Sequence, residues 1–314
     1  MLCRIHFLID PGIDLDTNTQ FARWQESVPQ GRAIFNNHPK DASKQKVIMN
    51  NKIGVLASLH ADRSCFAQMK QHGLNVCQLC SWDPALWTDM LAEKVRREAE
   101  VGGIHMTSFW AGYSGPCAWN FTEGPATLGL VPAAYRFQRI RELMQAGQFA
   151  KALGVQAVIT HLGFIPENAS DPAFHDVVVA VRHIANHLKN LGLEFWFETG
   201  QETPVTLLRL IQAVGLPNLG INLDPANLIL YGKGNPIDAL DVFGPFVRNI
   251  HAKDGLYPTD PMKLGQEVKV GEGRVRFPEF VRRLGEIGFT GEFIIEREIS
   301  GDQQIGRASC RERV

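Results

Sequence analysis

Four runs in the second half of the chain each end on a side chain able to bind a cation or move a proton: EFWFETG at Glu198, LGINLDPAN at Asp224, FVRNIHAKD at His251 and EFIIEREI at Glu296. Each run is short, β-branched or aromatic, and followed by a helical pattern, as expected of a strand that feeds a helix. Strand side chains alternate, so parity can be read directly. Trp196 and Glu198 share one face against Phe195 and Phe197; Asn222 and Asp224 oppose Leu219, Ile221 and Leu223; Asn249 and His251 oppose Ile250; Glu296 is in phase with Ile294 against Phe293 and Ile295. If the phenylalanine and aliphatic face meets outer helices, all four ionisable groups enter one interior at the ends of parallel strands. There they cannot remain charged and unpaired, because desolvation costs several kcal/mol or more per ion. A divalent cation resolves the conflict. The competing reading pairs Glu198 and Glu296 with arginines, Arg297 being adjacent to one of them, and makes His251 a core histidine. It would have to hold for all four at matching strand ends.

The elements that must position these groups follow in regular order from Ile53. IGVLASL, NVCQLCSW, IHMTSFWAG and VQAVITHLGF read as the first four strands, with the four runs above as the fifth to eighth. Helical patterns follow at 63–72, from Pro84 to about Val101, and at about 133–153, 172–191 and 278–287, with shorter ones opened by Pro204 and in NPIDALDVFG. Eight β-then-α units predict an α/β fold, a (β/α)8 TIM barrel with its chemistry at the C-terminal strand ends. The long connection YSGPCAWNFTEGPATLGLVP interrupts the pattern after the third strand. Loops of that length are usually functional, and Trp110, Tyr113, Trp119 and Phe121 would give it aromatic surfaces for a sugar face. A self-packed surface loop is the alternative.

Both ends depart from the pattern. Residues 1–48 are rich in turn residues and are expected to be a non-native or disordered extension, with Met49 as the initiator. The barrel is expected over 49–304. The tail 305–314, IGRASCRERV, resembles the translation of a sequencing adapter and is read as an artefact, so the eighth outer helix is expected to be missing by truncation.

Bulk properties exclude several functions. A formal net charge of −1 with interspersed signs gives no nucleic-acid footprint, and no apolar run is long enough to span a bilayer. A cytoplasmic protein is expected. The six cysteines form no disulfide framework, and Cys77 and Cys80 read as buried strand thiols.

HLGFIPE, FETGQETP, NLDPANL, HAKDG, VGEGRV and IEREI, in this order on successive strands, resemble the xylose-isomerase-like barrel family of sugar phosphate isomerases and epimerases. That family includes keto-sugar 3-epimerases, inosose isomerases and dehydratases, hydroxypyruvate isomerase and the zinc-dependent apurinic endonuclease IV. The resemblance implies that Glu198, Asp224, His251 and Glu296 ligate the metal. Where several members have a histidine three residues after the aspartate, this chain has Asn227, and the loop after His251 carries Asp254 and Asp260 but no histidine. A three-zinc phosphodiesterase site is therefore not expected.

Three carboxylates and an imidazole suit Mn²⁺, Mg²⁺ or Co²⁺, with Zn²⁺ also accommodated. With such an ion as Lewis acid, Glu198 and Glu296 are placed to exchange a proton through a cis-enediolate on a keto-sugar or polyol-derived ketone. Return of the proton to the same carbon epimerises; return to the neighbouring carbon isomerises. His161, Lys253, Glu167, Trp110, Trp119 and Asn227 are the expected substrate contacts. Arg274 is read as a solvated loop residue, and His183 and His187 as outer-helix surface. An inosose-type dehydratase and a non-catalytic sugar-binding barrel use the same site and stay open, as does assembly into a homo-oligomer.

Overall fold

The structure, a computed structural model, describes residues 52–298. The expected N-terminal extension, the Met49 start, the tail and the position of an eighth helix all lie outside these residues. The order along the chain is β1 (Ile53–Ser58), α1 (Ala67–Gln71), β2 (Val76–Ser81), α2 (Asp89–Gly102), β3 (His105–Ala111), α3 (Gly124–Thr127), α4 (Ala133–Leu153), β4 (Ala157–Thr160), α5 (Pro172–Asn190) and β5 (Glu194–Glu198). It continues with α6 (Pro204–Val214), β6 (Leu219–Leu223), α7 (Pro225–Leu230), α8 (Pro236–Phe243), β7 (Val247–Ala252), β8 (Asp254–Leu256), β9 (Gln266–Val268), α9 (Phe277–Glu286) and β10 (Phe293–Ile295).

Eight parallel strands close into a barrel, β10 pairing β1 through Ile53 with Phe293 and Gly54 with Ile294. The expected TIM barrel is therefore observed, with β10 as its eighth strand. Parity is as read: Phe195, Phe197, Ile221, Leu223, Ile250 and Phe293 pack outward into the main core beneath the helices. Inside, Trp196 packs with Cys80, Trp110, Ala157 and Ile159. The Trp196 indole fits because its neighbour in register on β6 is Gly220, where an added Cβ would lie 2.4 Å from the ring.

Beside this apolar cluster lies a polar one. Gln78 Nε2 donates to Ser108 Oγ at 3.2 Å and to Asn222 Oδ1 at 3.4 Å, and Asn249 Nδ2 donates to Asn222 Oδ1 at 2.7 Å. Buried amides need partners, and mutual pairing across β2, β3, β6 and β7 supplies most of them, Asn249 Oδ1 excepted.

Four local expectations need correction. The first helix covers only Ala67–Gln71 instead of 63–72. Pro84 opens a single 3-10 turn, Pro84–Leu86, and not the long helix; that helix starts anew at Asp89, where the Thr88 side chain accepts from Leu91 N at 3.3 Å. Trp87 turns out of helical geometry between them and buries its ring against Phe109. The helix α7 was not anticipated, nor was the antiparallel β8–β9 hairpin inside the supposed polar loop after His251.

The long connection after β3 is a clamped structure. Arg139 of α4 is fully buried, and its guanidinium donates to the carbonyls of Ser114, Pro116, Thr127 and Gly129 at 3.3, 2.9, 2.7 and 2.7 Å. It also lies 4.2 Å over the Tyr113 ring. Removing this one side chain would orphan several buried carbonyls together, so Arg139→Leu is expected to destabilise the protein by about 3 kcal/mol or more. Urea unfolding checks this as a lowered midpoint, and limited proteolysis is expected to cut within 114–128 in the variant.

Candidate metal centre

Glu198 ends β5, Asp224 follows β6, His251 lies in β7 and Glu296 follows β10. One potential ligand atom from each falls within 4.8 Å of all the others. Local structure orients them. Asp224 caps α7 by accepting from Asn227 N at 2.9 Å through Oδ1, which directs Oδ2 inward. That oxygen is buried and accepts no hydrogen bond among the described residues, with Lys253 Nζ at 3.4 Å and His251 Nδ1 at 3.8 Å. His251 Nδ1 lies 3.3 Å from Glu198 Oε1 and 3.0 Å from Glu296 Oε2. Its Nε2 meets Gln78 Oε1 at 2.9 Å and Asn222 Nδ2 at 3.0 Å. With Nε2 engaged by Gln78 and Asn222, Nδ1 is left to face the carboxylates: protonated, it donates to Glu296 Oε2, and deprotonated, it would offer its lone pair to a cation.

The charges are strongly coupled. Burial alone would raise the Glu198 and Glu296 carboxyls. His251 and His161 beside Glu198, and Lys253 and His251 beside Glu296, outweigh it and hold both below the ordinary carboxylate value. Burial likewise opposes the charged forms of His251 and Lys253, yet the surrounding carboxylates raise both well above their ordinary values. Asp224 goes the other way: its complete burial raises its carboxyl despite Lys253. With His251 neutral, the carboxylates of Glu198, Asp224 and Glu296 leave negative charge in excess, since Lys253 is shared with Glu298 as well. The donor set, the spacing and that excess fit a divalent cation.

A family model for the xylose isomerase-like TIM barrel matches residues 66–311. The chain belongs to that family. A xylose isomerase domain protein from Planctomyces limnophilus is similar at 36% identity, with 79% of this chain and 89% of that one covered and a TM-score of 0.74. A D-tagatose 3-epimerase-like protein shares the fold at 21% identity, TM-score 0.62, with 78% of this chain and 90% of that one covered. So does a xylose isomerase-like TIM barrel protein from Mycobacterium smegmatis in complex with magnesium, at 18% identity, TM-score 0.60, with 80% and 92% covered. An uncharacterized protein of Methanocaldococcus jannaschii is 26% identical over 179 residues, which span 51% of this chain and 59% of that protein's length. No helix among the described residues is long and apolar enough to cross a membrane.

Around the centre of this xylose isomerase-like barrel, most of the expected contacts converge. His161 Nε2 lies 3.3 Å from Glu198 Oε1. Asn227 bridges two groups, donating to Glu198 Oε1 at 3.4 Å and accepting from Lys253 Nζ at 3.4 Å. Lys253 is buried and pairs with Asp224, Glu296 at 3.2 Å and Glu298 at 2.5 Å. Trp110 donates its Nε1–H to Glu198 Oε2 and so orients that carboxylate. Trp119 is half-buried, its ring centroid 4.9 Å from that of His161. Glu167 is the exception. It is exposed, and its carbonyl accepts from Arg209 at 2.6 Å, because the turn after Pro166 leads outward to α5. His183 lies exposed on α5 as read.

Sequence reading missed Gln78, Glu298, Gln201, Glu202 and Tyr231. The first shares the inward parity of β2 with Cys80, a signal present but drowned by its apolar neighbours. Glu298 shares parity with Glu296.

In the metal-free protein these couplings set the pH dependence. Glu198 and Glu296 have folded values below 4.5, so their stabilisation is present above that value and is lost as pH falls through the folded pKa. His251 lies above 6.5, so its stabilisation is complete below 6.5 and is lost as pH rises through the folded pKa. Thermal unfolding in chelator is expected to show Tm declining above pH 6.5, and His251→Gln is expected to make that limb markedly shallower, the remainder coming from His161, which Glu198 also raises. An identical decline in the variant would assign it to another group.

Proposed function

We propose that this protein is a divalent-metal-dependent sugar isomerase or epimerase acting on a keto-sugar or polyol-derived ketone. The observation that carries the reading is the convergence of Glu198, Asp224, His251 and Glu296, their ligand atoms within 4.8 Å of one another in the barrel mouth. These four would hold Mn²⁺, Mg²⁺ or Co²⁺, or else Zn²⁺, and such an ion when bound polarises a carbonyl and acidifies the neighbouring C–H.

The chain's own residues account for the proton transfers. Glu198 is fixed by Trp110 at one oxygen and by His161 and Asn227 at the other. Glu296 stands against His251 and Lys253. Each carboxylate thus has its own basic neighbour, which keeps it ionised and able to accept a proton despite burial. One carboxylate removes the proton beside the carbonyl and the other returns one, through a cis-enediolate. The strands β5 and β10 bring them in from different sides of His251. Positioned acid-base groups contribute about 10² to 10⁴ in rate. The epimerase name of one structural relative agrees with this reading.

Metal-loaded protein incubated in D₂O with a panel of ketoses and inososes is expected to incorporate deuterium beside the carbonyl. Glu198→Gln and Glu296→Gln are each expected to slow exchange by about 10² or more. Release of water with a new double bond would assign a dehydratase, and absence of exchange in protein that binds both ion and sugar would leave a non-catalytic barrel. Gln78→Leu, which removes the partner of His251 Nε2, is expected to weaken divalent-ion binding by about tenfold or more in calorimetric titration.

A further inference from the structure

A second set of polar groups lies beside the centre and meets it only through His161, whose Nε2 faces Glu198. Gln201 and Glu202, in the turn between β5 and α6, are 1% and 3% exposed; Tyr231, after α7, is 5% exposed; His161 is 3% exposed. Among the described residues, Oε2 of Glu202 and Nδ1 of His161 have no hydrogen-bond partner, and the Gln201 amide and the Tyr231 hydroxyl have none but a loose contact with each other. Buried polar atoms are rarely left in this state, and four neighbouring side chains with it mark a surface built for something polar.

The groups form one wall. A Cβ at Gly200 would lie 3.4 Å from His161 Cε1, so the turn carrying Gln201 and Glu202 runs against that ring. The turn is held inward by Thr199, whose hydroxyl donates to Asp224 O at 2.8 Å and accepts from Asp224 N at 2.9 Å. Tyr231 stands with its ring edge-on to Phe121 and Phe164, at centroid distances of 6.1 and 5.9 Å. His161 joins this wall to Glu198, so a molecule bound at the four-residue centre would extend along it.

The chemistry of the wall selects the extension. A carboxamide, a phenol, a carboxyl and an imidazole both donate and accept, which matches hydroxyl groups. A phosphate would instead need several cationic or backbone donors. The positive charges acting on Glu202 are those of His161, already committed to Glu198, and Lys233, whose ammonium lies 5.8 Å over the Phe164 ring. Burial pushes the Glu202 carboxyl up to about 7, an environment that already disfavours one negative charge.

We infer that His161, Gln201, Glu202 and Tyr231 form a hydroxyl-recognition subsite that takes the distal hydroxylated carbons of an unphosphorylated substrate and rejects the phosphate ester. The inference rests on the proposed sugar chemistry at the adjoining centre. It narrows the substrate to free ketoses or polyol-derived ketones.

The test uses the full chain with saturating Mg²⁺, titrated with L-erythrulose, D-ribulose, D-fructose and D-tagatose and with the terminal phosphate ester of each, followed by tryptophan fluorescence and calorimetry. At least one free ketose is expected to bind, and its ester about tenfold or more weaker. Gln201→Leu and Tyr231→Phe are each expected to weaken ketose binding roughly tenfold, with Mg²⁺ affinity unchanged. Because each variant loses at most the loose contact between these two side chains, Tm is expected to fall by no more than a few degrees in either. Esters that bind as well as the free sugars, variants that bind like the parent, or a marked fall in Tm in both would overturn the subsite. Protein that takes up Mg²⁺ but none of the sugars would also overturn it and leave the cation reading standing. Sugar binding with this preference but without Mg²⁺ uptake would support the subsite and overturn the cation reading.

Discussion

Concentrated negative charge inside a closed barrel is the constraint from which the rest of the structure follows. Glu198, Asp224 and Glu296 lie close enough that none can ionise without regard to the others, and little water reaches them to screen the repulsion. In the metal-free chain the nearby basic groups carry the compensation: Lys253 reaches three carboxylates and His251 Nδ1 faces three. That arrangement is self-consistent but strained in charge, since Asp224 retains an oxygen without a hydrogen bond and a carboxyl raised by burial. A divalent ion among the same atoms would relieve both.

The surrounding architecture keeps these groups where the charge problem cannot be escaped. Strand parity sends aromatic and aliphatic side chains outward into the helices and leaves the inner face to Gln78, Asn222, Asn249 and His251, which pair with one another. This polar layer sets the imidazole orientation. The long connection after β3 is tied down by Arg139 and carries Trp119 to the edge of His161. The connection is therefore a fixed wall more than a closing lid. The hairpin β8–β9 adds a further rim, with Glu267 Oε2 accepting from the backbone N–H of Glu298.

Much of this was legible because a period of two is a strong signal. Where a run alternates phenylalanine with a carboxylate, as in EFWFE, the outward and inward faces follow with little ambiguity, and the four strand ends could be assigned to one interior. Lys253 and His161 were legible for the same reason. What could not be read depended on loop paths. Glu167 reads as a contact from its place in the loop after Pro166, but the direction of that turn is set by packing against α6, where Arg209 donates to the Glu167 carbonyl, not by local pattern. Gln201, Glu202 and Tyr231 were missed because turn residues carry no periodicity; only the three-dimensional path buries them. Pro84 reads as the start of one long helix but opens only a 3-10 turn, and the Thr88 cap four residues later begins the long helix. Competing caps are resolved by the burial of Trp87 between them.

The most direct test of the central claim is anomalous diffraction from crystals of the full chain equilibrated with Mn²⁺. The expected result is a single strong manganese peak in contact with side-chain atoms of Glu198, Asp224, His251 and Glu296. A manganese peak elsewhere, or none at saturating concentration with His251 and Lys253 still neutralising the three carboxylates, would contradict it.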